Sequence, residues 1–352
     1  MHKEEKIKVG ISIGDLNGIG GELILKTFED SRILDFCTPI VFASAKTFSF
    51  LKKHFDSSIK FNGINNLDQA LHGKINVHNT WKEGVQINFG KEDPSIGKYA
   101  IRSFKAGTKA LKEGAIDVLL TAPIHKHNIQ SDDFKFPGHT DYLDQELDGK
   151  SLMFMVTEDL KVGLLTDHIP VKDVADHITE DLIMSKVETI HQSLVQDFGI
   201  RKPKIAMLGI NPHTGDNGVI GQEDDTIIRP AIKKIKDGGK LVFGPYSADS
   251  FFGSDNYRKF DAVLAVYHDQ GLIPFKTLSF GQGVNFTAGL SGVRTSPDHG
   301  TAFEIAGKGE ANNNSFKEAL FTGIKIFKNR ELYKSLTQNV LKKAPRKPVV
   351  KK

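Results

Sequence analysis

The 352-residue chain has one cysteine, Cys37, and one tryptophan. A lone thiol excludes an intrachain disulfide and any cysteine-based zinc site, so a reducing, cytoplasmic setting is the simplest expectation. Also missing is any apolar run of membrane-spanning length, and the opening residues, MHKEEKIKVGISIGD, hold no stretch long enough for a signal peptide. No membrane partner is expected. Proline is scarce, 13 against 33 glycines, which favours tight backbone approaches over stiff linkers. There is no internal repeat and no basic stripe with interleaved aromatics, so no nucleic-acid partner is expected either. The formal charge of +4 is misleading, because six basic and no acidic side chains fall within residues 342–352. Without them the balance is 41 basic to 43 acidic. The body is near neutral, and 342–352 reads as a solvated basic tail.

What is present is a repeated alternation of helical periodicity and short apolar runs. Strands are expected at Ile7 to Ile13, Pro39 to Ala43, Ile116 to Leu120, Leu152 to Val156, Val162 to Leu165, Lys204 to Leu208, Leu241 to Phe243 and Ala262 to Val266. Helices are expected at Glu22 to Phe28, Lys46 to Phe55, Ile96 to Glu113, Thr179 to Phe198 with Thr179 as its cap, Gln222 to Lys236, Ser315 to Phe327 and Glu331 to Leu341. Buried strands alternating with helices indicate an α/β protein with a largely parallel sheet covered on both faces. The length suggests two domains.

The polar chemistry collects at the carboxyl ends of these strands, where open α/β sheets bind ligands. Residues 14–22, GDLNGIGGE, form a glycine-rich loop after the first strand, but not GxGxxG in register. Such a loop either cradles a phosphate or is simply a tight turn into a helix. His168, His213 and His268 each follow an apolar strand, and His139 follows a short loop. Three imidazoles at strand ends suit one divalent ion with open positions for a substrate hydroxyl. Their spacing carries no metal signature, and hydrogen-bonded turn histidines are the alternative. Asp249 and Asp269 occupy equivalent positions, as base, hydroxyl-orienting group or plain turn acids. Lys276 and Arg294 are candidates for a phosphate or carboxylate.

Residues 299–312, HGTAFEIAGKGEAN, resemble the HGSAPDIAGKGIANP signature of the isopropylmalate and isocitrate dehydrogenases. The resemblance implies that His299, Gly300, Thr301, Ala302, Glu304 and Ile305 wrap the adenosine end of a nicotinamide cofactor. It implies hydride transfer, with NAD favoured over NADP because Glu304 suits free ribose hydroxyls and repels a 2′-phosphate. The chain as a whole resembles the 4-hydroxythreonine-4-phosphate dehydrogenases of pyridoxal 5′-phosphate biosynthesis. That resemblance runs from about Ile7 to Phe327 through GDLNGIGGE, TAPIHK, FPGHTDYL, TDHIPVKDV, GINPHTGDNGVIGQED, GPYSADSFF, YHDQGLIPFK, VNFTAGL and VRTSPDHGTAFEIAG.

Carried over by position, it implies metal ligands at His168, His213 and His268 and substrate contacts at His139, Thr140, Lys276, Asn285 and Arg294. Zinc is the expected ion, with magnesium or cobalt as alternatives. The implied fold is two α/β/α domains flanking a cleft, like the isocitrate and isopropylmalate dehydrogenases and not Rossmann. One domain would comprise 1–135 with 275–341 and the other 136–274. The implied assembly is a homodimer whose active site lies at the interface and draws metal ligands from both chains. Four-carbon sugar-acid 4-phosphates, threonate or erythronate, are the alternative substrates, with a metal-dependent phosphohydrolase or a binding protein further off. The chain departs from the family pattern at Leu16, Asn17 and Gly21, where two prolines and an alanine are usual, at His125 in place of asparagine, and at Asp167 in place of threonine.

Overall fold

The structure is a computed structural model describing residues 6–131 and 133–339; the basic tail expected at 342–352 lies outside the described residues. The first half contains β1 (Ile7–Ser12), α1 (Gly20–Phe28), β2 (Cys37–Ala43), α2 (Ala45–His54), β3 (Phe61–Ile64), β4 (Ile75–Asn79), α3 (Pro94–Lys112), β5 (Val118–Thr121) and α4 (His139–Glu146). The chain continues through β6 (Gly149–Val156), β7 (Lys161–Leu164), α5 (Val174–His177), α6 (Glu180–Gln196), β8 (Lys204–Leu208), α7 (Arg229–Asp237), β9 (Leu241–Tyr246) and α8 (Ala248–Phe252). It ends with β10 (Ala262–Ala265), α9 (His268–Ser279), β11 (Val284–Leu290), β12 (Val293–Pro297) and α10 (Asn314–Thr337).

The twelve strands among the described residues join one sheet in the order β3-β4-β2-β1-β5-β12-β11-β6-β7-β10-β8-β9. From β3 to β12, and again from β7 to β9, neighbours run parallel. Between these two blocks, β12, β11, β6 and β7 pair antiparallel. The mixed α/β class expected from the alternation is found, and the two parallel blocks are the two lobes, sharing one sheet through the antiparallel centre.

The apolar runs are continuous because both faces are covered. One buried layer runs across the whole sheet, from Val9 and Leu120 through Phe154 and Phe286 to Leu264 and Met207. On the opposite face alternate residues fill two separate layers, Phe42, Phe104 and Leu119 in the first half and Val162, Ala206 and Val263 in the second. Leu119 and Leu120 thus pack to opposite sides, as do Val263 and Leu264, by the two-residue period of a strand.

Three local expectations are revised. The two closing helices are a single helix, α10, because the polar stretch read as a break carries Arg330, whose side chain is buried against Asp197. Gln222 to Lys236 is not uniform: a π-helical turn at Asp224–Ile228 precedes α7. His268 to Gln270 do not merely follow a strand but begin α9, which tolerates Pro274 in its interior.

Candidate active site

A cleft of about 780 Å³ opens where the two lobes meet the antiparallel centre. Its walls come from the end of β5 (Thr121), the start of α4 (His139, Thr140), β6 (Met153), β11 (Asn285) and β12 (Arg294), with Lys276 of α9 and His299 beyond β12. All five expected substrate contacts line this one space, although they are drawn from four elements as far apart in sequence as residues 139 and 294.

Arg294 is the centre of it. Its side chain is 2% exposed, in a strand, VRTSP, that is buried at every position. It donates from Nε and Nη2 to Thr121 Oγ1, at 3.0 and 2.6 Å, and from Nη1 to Thr287 Oγ1 at 3.1 Å. Nη2 also donates to His139 Nδ1 at 3.0 Å. These partners are hydroxyls and an imidazole, and none carries negative charge. Burial alone pulls the guanidinium down to about 9, still protonated at neutral pH. A buried cation without a counter-anion is costly unless a ligand supplies the charge.

His139 follows from it. Burial, reinforced by the neighbouring Arg294 charge, holds its imidazole well below the ordinary histidine range, so it is neutral. With Nδ1 accepting from Arg294, the proton sits on Nε2, and Nε2 is buried without a partner. The ring is held edge-on to Phe104 at 4.5 Å between centroids. Asn285 Oδ1 and His299 Nε2 are likewise buried and unpartnered, while His299 Nδ1 donates to the Gly300 carbonyl at 3.1 Å. Lys276 Nζ, on the rim, donates to the Asp298 carbonyl at 3.2 Å. The cleft therefore presents one deeply buried charge, cations nearer its rim and several uncommitted polar atoms to whatever fills it.

The histidines stand beside this space. β7, β10 and β8 are consecutive parallel neighbours, so the loops bearing His168, His268 and His213 leave adjacent points on one sheet edge. His168 lines the cleft, and its ring lies 5.8 Å from that of His268. Asp269 Oδ1 accepts from His268 Nδ1 at 2.7 Å, which leaves Nε2 as the free donor atom. Asp167, one of the departures from the family pattern, caps the His168 amide at 2.8 Å and lies 4.0 Å from its ring. His213 is not gathered with the other two: among the described residues no three histidine, cysteine or acidic side chains converge as a metal site within the single chain. Asp249 lies near His213, and its carboxyl is held low first by the Ser247 hydroxyl at 2.6 Å, then by the Ser250 amide, with a smaller contribution from His213.

The expected cofactor segment packs against the glycine-rich loop. The Ile19 amide donates to the Thr301 carbonyl at 3.1 Å, and Glu22 Oε1 accepts from the Ala311 amide at 2.7 Å. Glu304 is exposed, Ala302 and Ile305 are half-buried, and Ala302 has a positive φ of 45°. The loop itself is buried, and the amides of Asp15, Asn17, Gly18 and Ile19 already have protein partners. It is the tight turn of the two readings, with Gly14 at φ 75° pressed on the Pro123 carbonyl.

Two cleft residues escaped the sequence reading. Thr121 anchors Arg294, a role signalled only by a hydroxyl ending an apolar strand. Lys186, on α6, lines the cleft with its ammonium pulled down by burial and partly restored by Asp167 and Asp144. It stands directly before buried Val187 on that helix, a cation at the edge of the apolar stripe.

A polar cleft at the strand ends of an open α/β sheet, with an uncompensated buried cation and imidazoles alongside, defines an α/β enzyme whose chemistry sits between two lobes. The chain matches the family model described as pyridoxal phosphate biosynthetic protein PdxA over residues 35–322, and it belongs to that family. It is 47% identical over 343 residues to a 4-hydroxythreonine-4-phosphate dehydrogenase of Bacteroides thetaiotaomicron, covering 97% of this chain and 94% of the relative. It is 36% identical to a D-threonate 4-phosphate dehydrogenase of Cupriavidus necator, covering 92% and 98%. A crystal structure of 4-hydroxythreonine-4-phosphate dehydrogenase from Klebsiella pneumoniae superposes with a TM-score of 0.80 at 31% identity, over 93% of this chain and 99% of that one.

Proposed function

We propose that this protein oxidises the secondary alcohol of 4-phosphohydroxy-L-threonine with a nicotinamide cofactor. The product, 2-amino-3-oxo-4-(phosphonooxy)butanoate, is a β-keto acid that loses CO2 to give 3-amino-2-oxopropyl phosphate. The observation that carries this reading is the buried Arg294–His139 pair, a cation and an Nε2–H donor with no protein anion to meet them. The names of the relatives supply the particular substrate.

In this reading Arg294 and Lys276 receive the substrate's anionic groups, His139 and Thr140 donate to the same groups, and Asn285 Oδ1 accepts from the substrate's ammonium or hydroxyl. Lys186 adds a further positive charge to the same wall. His168, His213 and His268 would hold a divalent ion. The donor set suits it: His268 is oriented by Asp269 with Nε2 free, and the His168 ring stands beside it. Such an ion, zinc by its imidazole ligands or otherwise magnesium or cobalt, supplies Lewis acidity that lowers the pKa of the substrate hydroxyl. The cofactor supplies the hydride acceptor, and we assign it to the segment His299, Gly300, Thr301, Ala302, Glu304 and Ile305, with NAD preferred on account of the exposed Glu304. Asp269 fixes a ring, whereas Asp249 is exposed beside His213; either serves to relay the hydroxyl proton.

We further propose a homodimer with the active site at the interface. Large apolar side chains flank each histidine loop in solvent: Val171 beyond His168, Val219 and Ile220 beyond His213, and Ile273 on the helix that His268 begins with Phe280 just past its end. Phe280 is 86% exposed. A partner covering these residues would bring His213 of one chain toward the other histidines. We place the lobe boundary near residues 135 and 275, and the protein in the cytoplasm, in keeping with a buried Cys37 whose thiol burial pushes up to about 12. Among the described residues no helix is long and apolar enough to cross a membrane.

The test is NADH formation by the zinc- or cobalt-loaded protein with 4-phosphohydroxy-L-threonine, beside threonate and erythronate 4-phosphates. Turnover of the amino acid supports the proposal. Turnover of the sugar acids alone would move the protein toward the Cupriavidus relative, the second reading that its 36% identity sustains. Phosphate release without cofactor reduction would make it a phosphohydrolase.

A further inference from the structure

The turn that carries His213 has a backbone that L-amino acids avoid. Residues 213 to 218 have successive φ values of 52°, 54°, 84°, 44°, 54° and 90°, a left-handed helical turn. Of the seven non-glycine residues with positive φ among those described, four lie here: His213, Thr214, Asp216 and Asn217. Single residues visit this region, but runs of it are disfavoured by contact between Cβ and the backbone, and a β-branched residue such as Thr214 is a clear outlier. Such strain persists only where the surroundings over-determine it, and it concentrates at functional sites.

What over-determines it here is Asp224. The residue is fully buried, and its carboxylate has no cationic partner among its hydrogen bonds. Oδ1 accepts from the Ile210 amide at 3.0 Å, and Oδ2 accepts from the Asn211 amide at 3.1 Å and from Asn211 Nδ2 at 3.0 Å. These amides lie three and two residues before the left-handed run, with only Pro212 between. The fit allows no slack: a Cβ on Gly209 would come within 2.6 Å of Asp224 Oδ1, and one on Gly221 within 2.5 Å of Asn211 Nδ2. Asp224 itself opens the π-helical turn 224–228, an irregularity that aims its carboxylate back at the loop. From the far side Arg229 donates to Thr214 Oγ1 at 3.0 Å.

We propose that Asp224 is a positioning residue that clamps residues 210–211, holds the turn left-handed, and so presets the His213 imidazole for metal binding. The inference rests on the reading of His213 as a metal ligand. It has a direct consequence: in the absence of the clamp, relaxation of the turn toward right-handed conformations carries the ring away from its binding position. Glycine, which adopts positive φ without a Cβ clash, should then restore what the clamp supplied.

The experiment is a titration of the metal-free full-length protein with Co2+, read by visible absorbance, and with Zn2+ by competition. Asp224→Asn turns one acceptor into a donor facing Asn211, and a metal dissociation constant at least tenfold weaker is expected. Asn211→Ala, which removes one of the three bonds to Asp224, and with it the bond from Nδ2 to Glu223 Oε2 at 2.8 Å, but leaves the Asp224 carboxylate in place, should fall between that and the parent. Asp216→Gly with Asn217→Gly, added to Asp224→Asn, should recover at least threefold. His213→Ala is the reference. If His213→Ala binds as tightly as the parent, the metal reading fails and the proposal with it. If His213→Ala is weak while Asp224→Asn matches the parent, or if Asp224→Asn is weak and glycine restores nothing, the proposal alone is overturned. Should Asp224→Asn not fold, Asn211→Ala with and without the glycines decides by the same criteria.

Discussion

Arg294 is a side chain poorly placed for stability and well placed to meet an anionic ligand. Its guanidinium is desolvated, and its partners Thr121, Thr287 and His139 return only neutral hydrogen bonds. Replacing it by methionine removes the buried charge, so the ligand-free variant should unfold at the same urea concentration as the parent or higher. Substrate binding should meanwhile weaken by about 2–5 kcal/mol, the cost of leaving a buried anion unpaired. Steady-state kinetics and urea denaturation check both; a KM within threefold of the parent would remove Arg294 from the substrate site. His139 makes a pH prediction at the same scale. The native ring is held neutral, whereas in the unfolded chain it takes up a proton near the ordinary histidine value of 6.5. Below that pH the unfolded state binds more protons than the native state, so stability falls as the pH is lowered, by at most about 1.4 kcal/mol per unit. Parent protein should therefore lose more of its urea midpoint between pH 7.5 and pH 5 than His139→Gln does.

Among the elements, α6 and α10 hold the central strands in place from one side. Thr179 caps α6 by accepting from the Leu182 amide at 3.2 Å, and Thr179→Ala should cost about 1 kcal/mol in chemical denaturation with little change in turnover. At the other end of α6, buried Asp197 accepts from Arg330 Nε of α10 at 2.6 Å and from Ser193 Oγ at 2.7 Å. Arg330 Nη1 goes on to the carbonyls of Leu290 and Ser291 at the β11–β12 hairpin, just behind Arg294. Arg330→Met strands a buried carboxylate and two carbonyls, and a loss of about 3–5 kcal/mol is expected. Calorimetry on both variants separates the cap from the buried pair. The same residue explains a misreading: Lys328-Asn329-Arg330 looks like a polar break between two helices, because a polar triplet with two charges ordinarily faces water. Only the arrival of Asp197 from residue 197 makes burial of Arg330 affordable. α9 was hidden for a different reason, since Tyr267 offers no side-chain cap and Pro274 argues locally against a helix.

At the scale of the whole molecule, the exposed apolar side chains beside the histidine loops predict a dimer whose loss abolishes activity. Phe280→Asp together with Ile273→Asp should shift the light-scattering mass from dimer to monomer and eliminate NADH formation while leaving the circular dichroism spectrum intact. A monomeric parent that turns over substrate would contradict it. What was determined by sequence alone is everything governed by local pattern. Apolar runs bounded by proline and glycine, such as Lys204 to Leu208, are strands whatever surrounds them, and their alternation with amphipathic helices forces an α/β sheet covered on both faces. Ordered motifs also singled out His139, Thr140, Lys276, Asn285 and Arg294, which line one cleft, because residue type and position survive in the linear string. Tertiary structure decided whatever depends on a partner distant in the chain. Whether the amides of GDLNGIGGE were free for a phosphate depended on Pro123 and Thr301, and the neutrality of His139 on its burial first and on Arg294 second. Lys186 joined the cleft only because α6 lies across it. The left-handed turn at His213 depended on a carboxylate eleven residues on, folded back by a π-turn. Hydrogen-bond satisfaction and desolvation are properties of assembled neighbours, and no local window of the chain contains them.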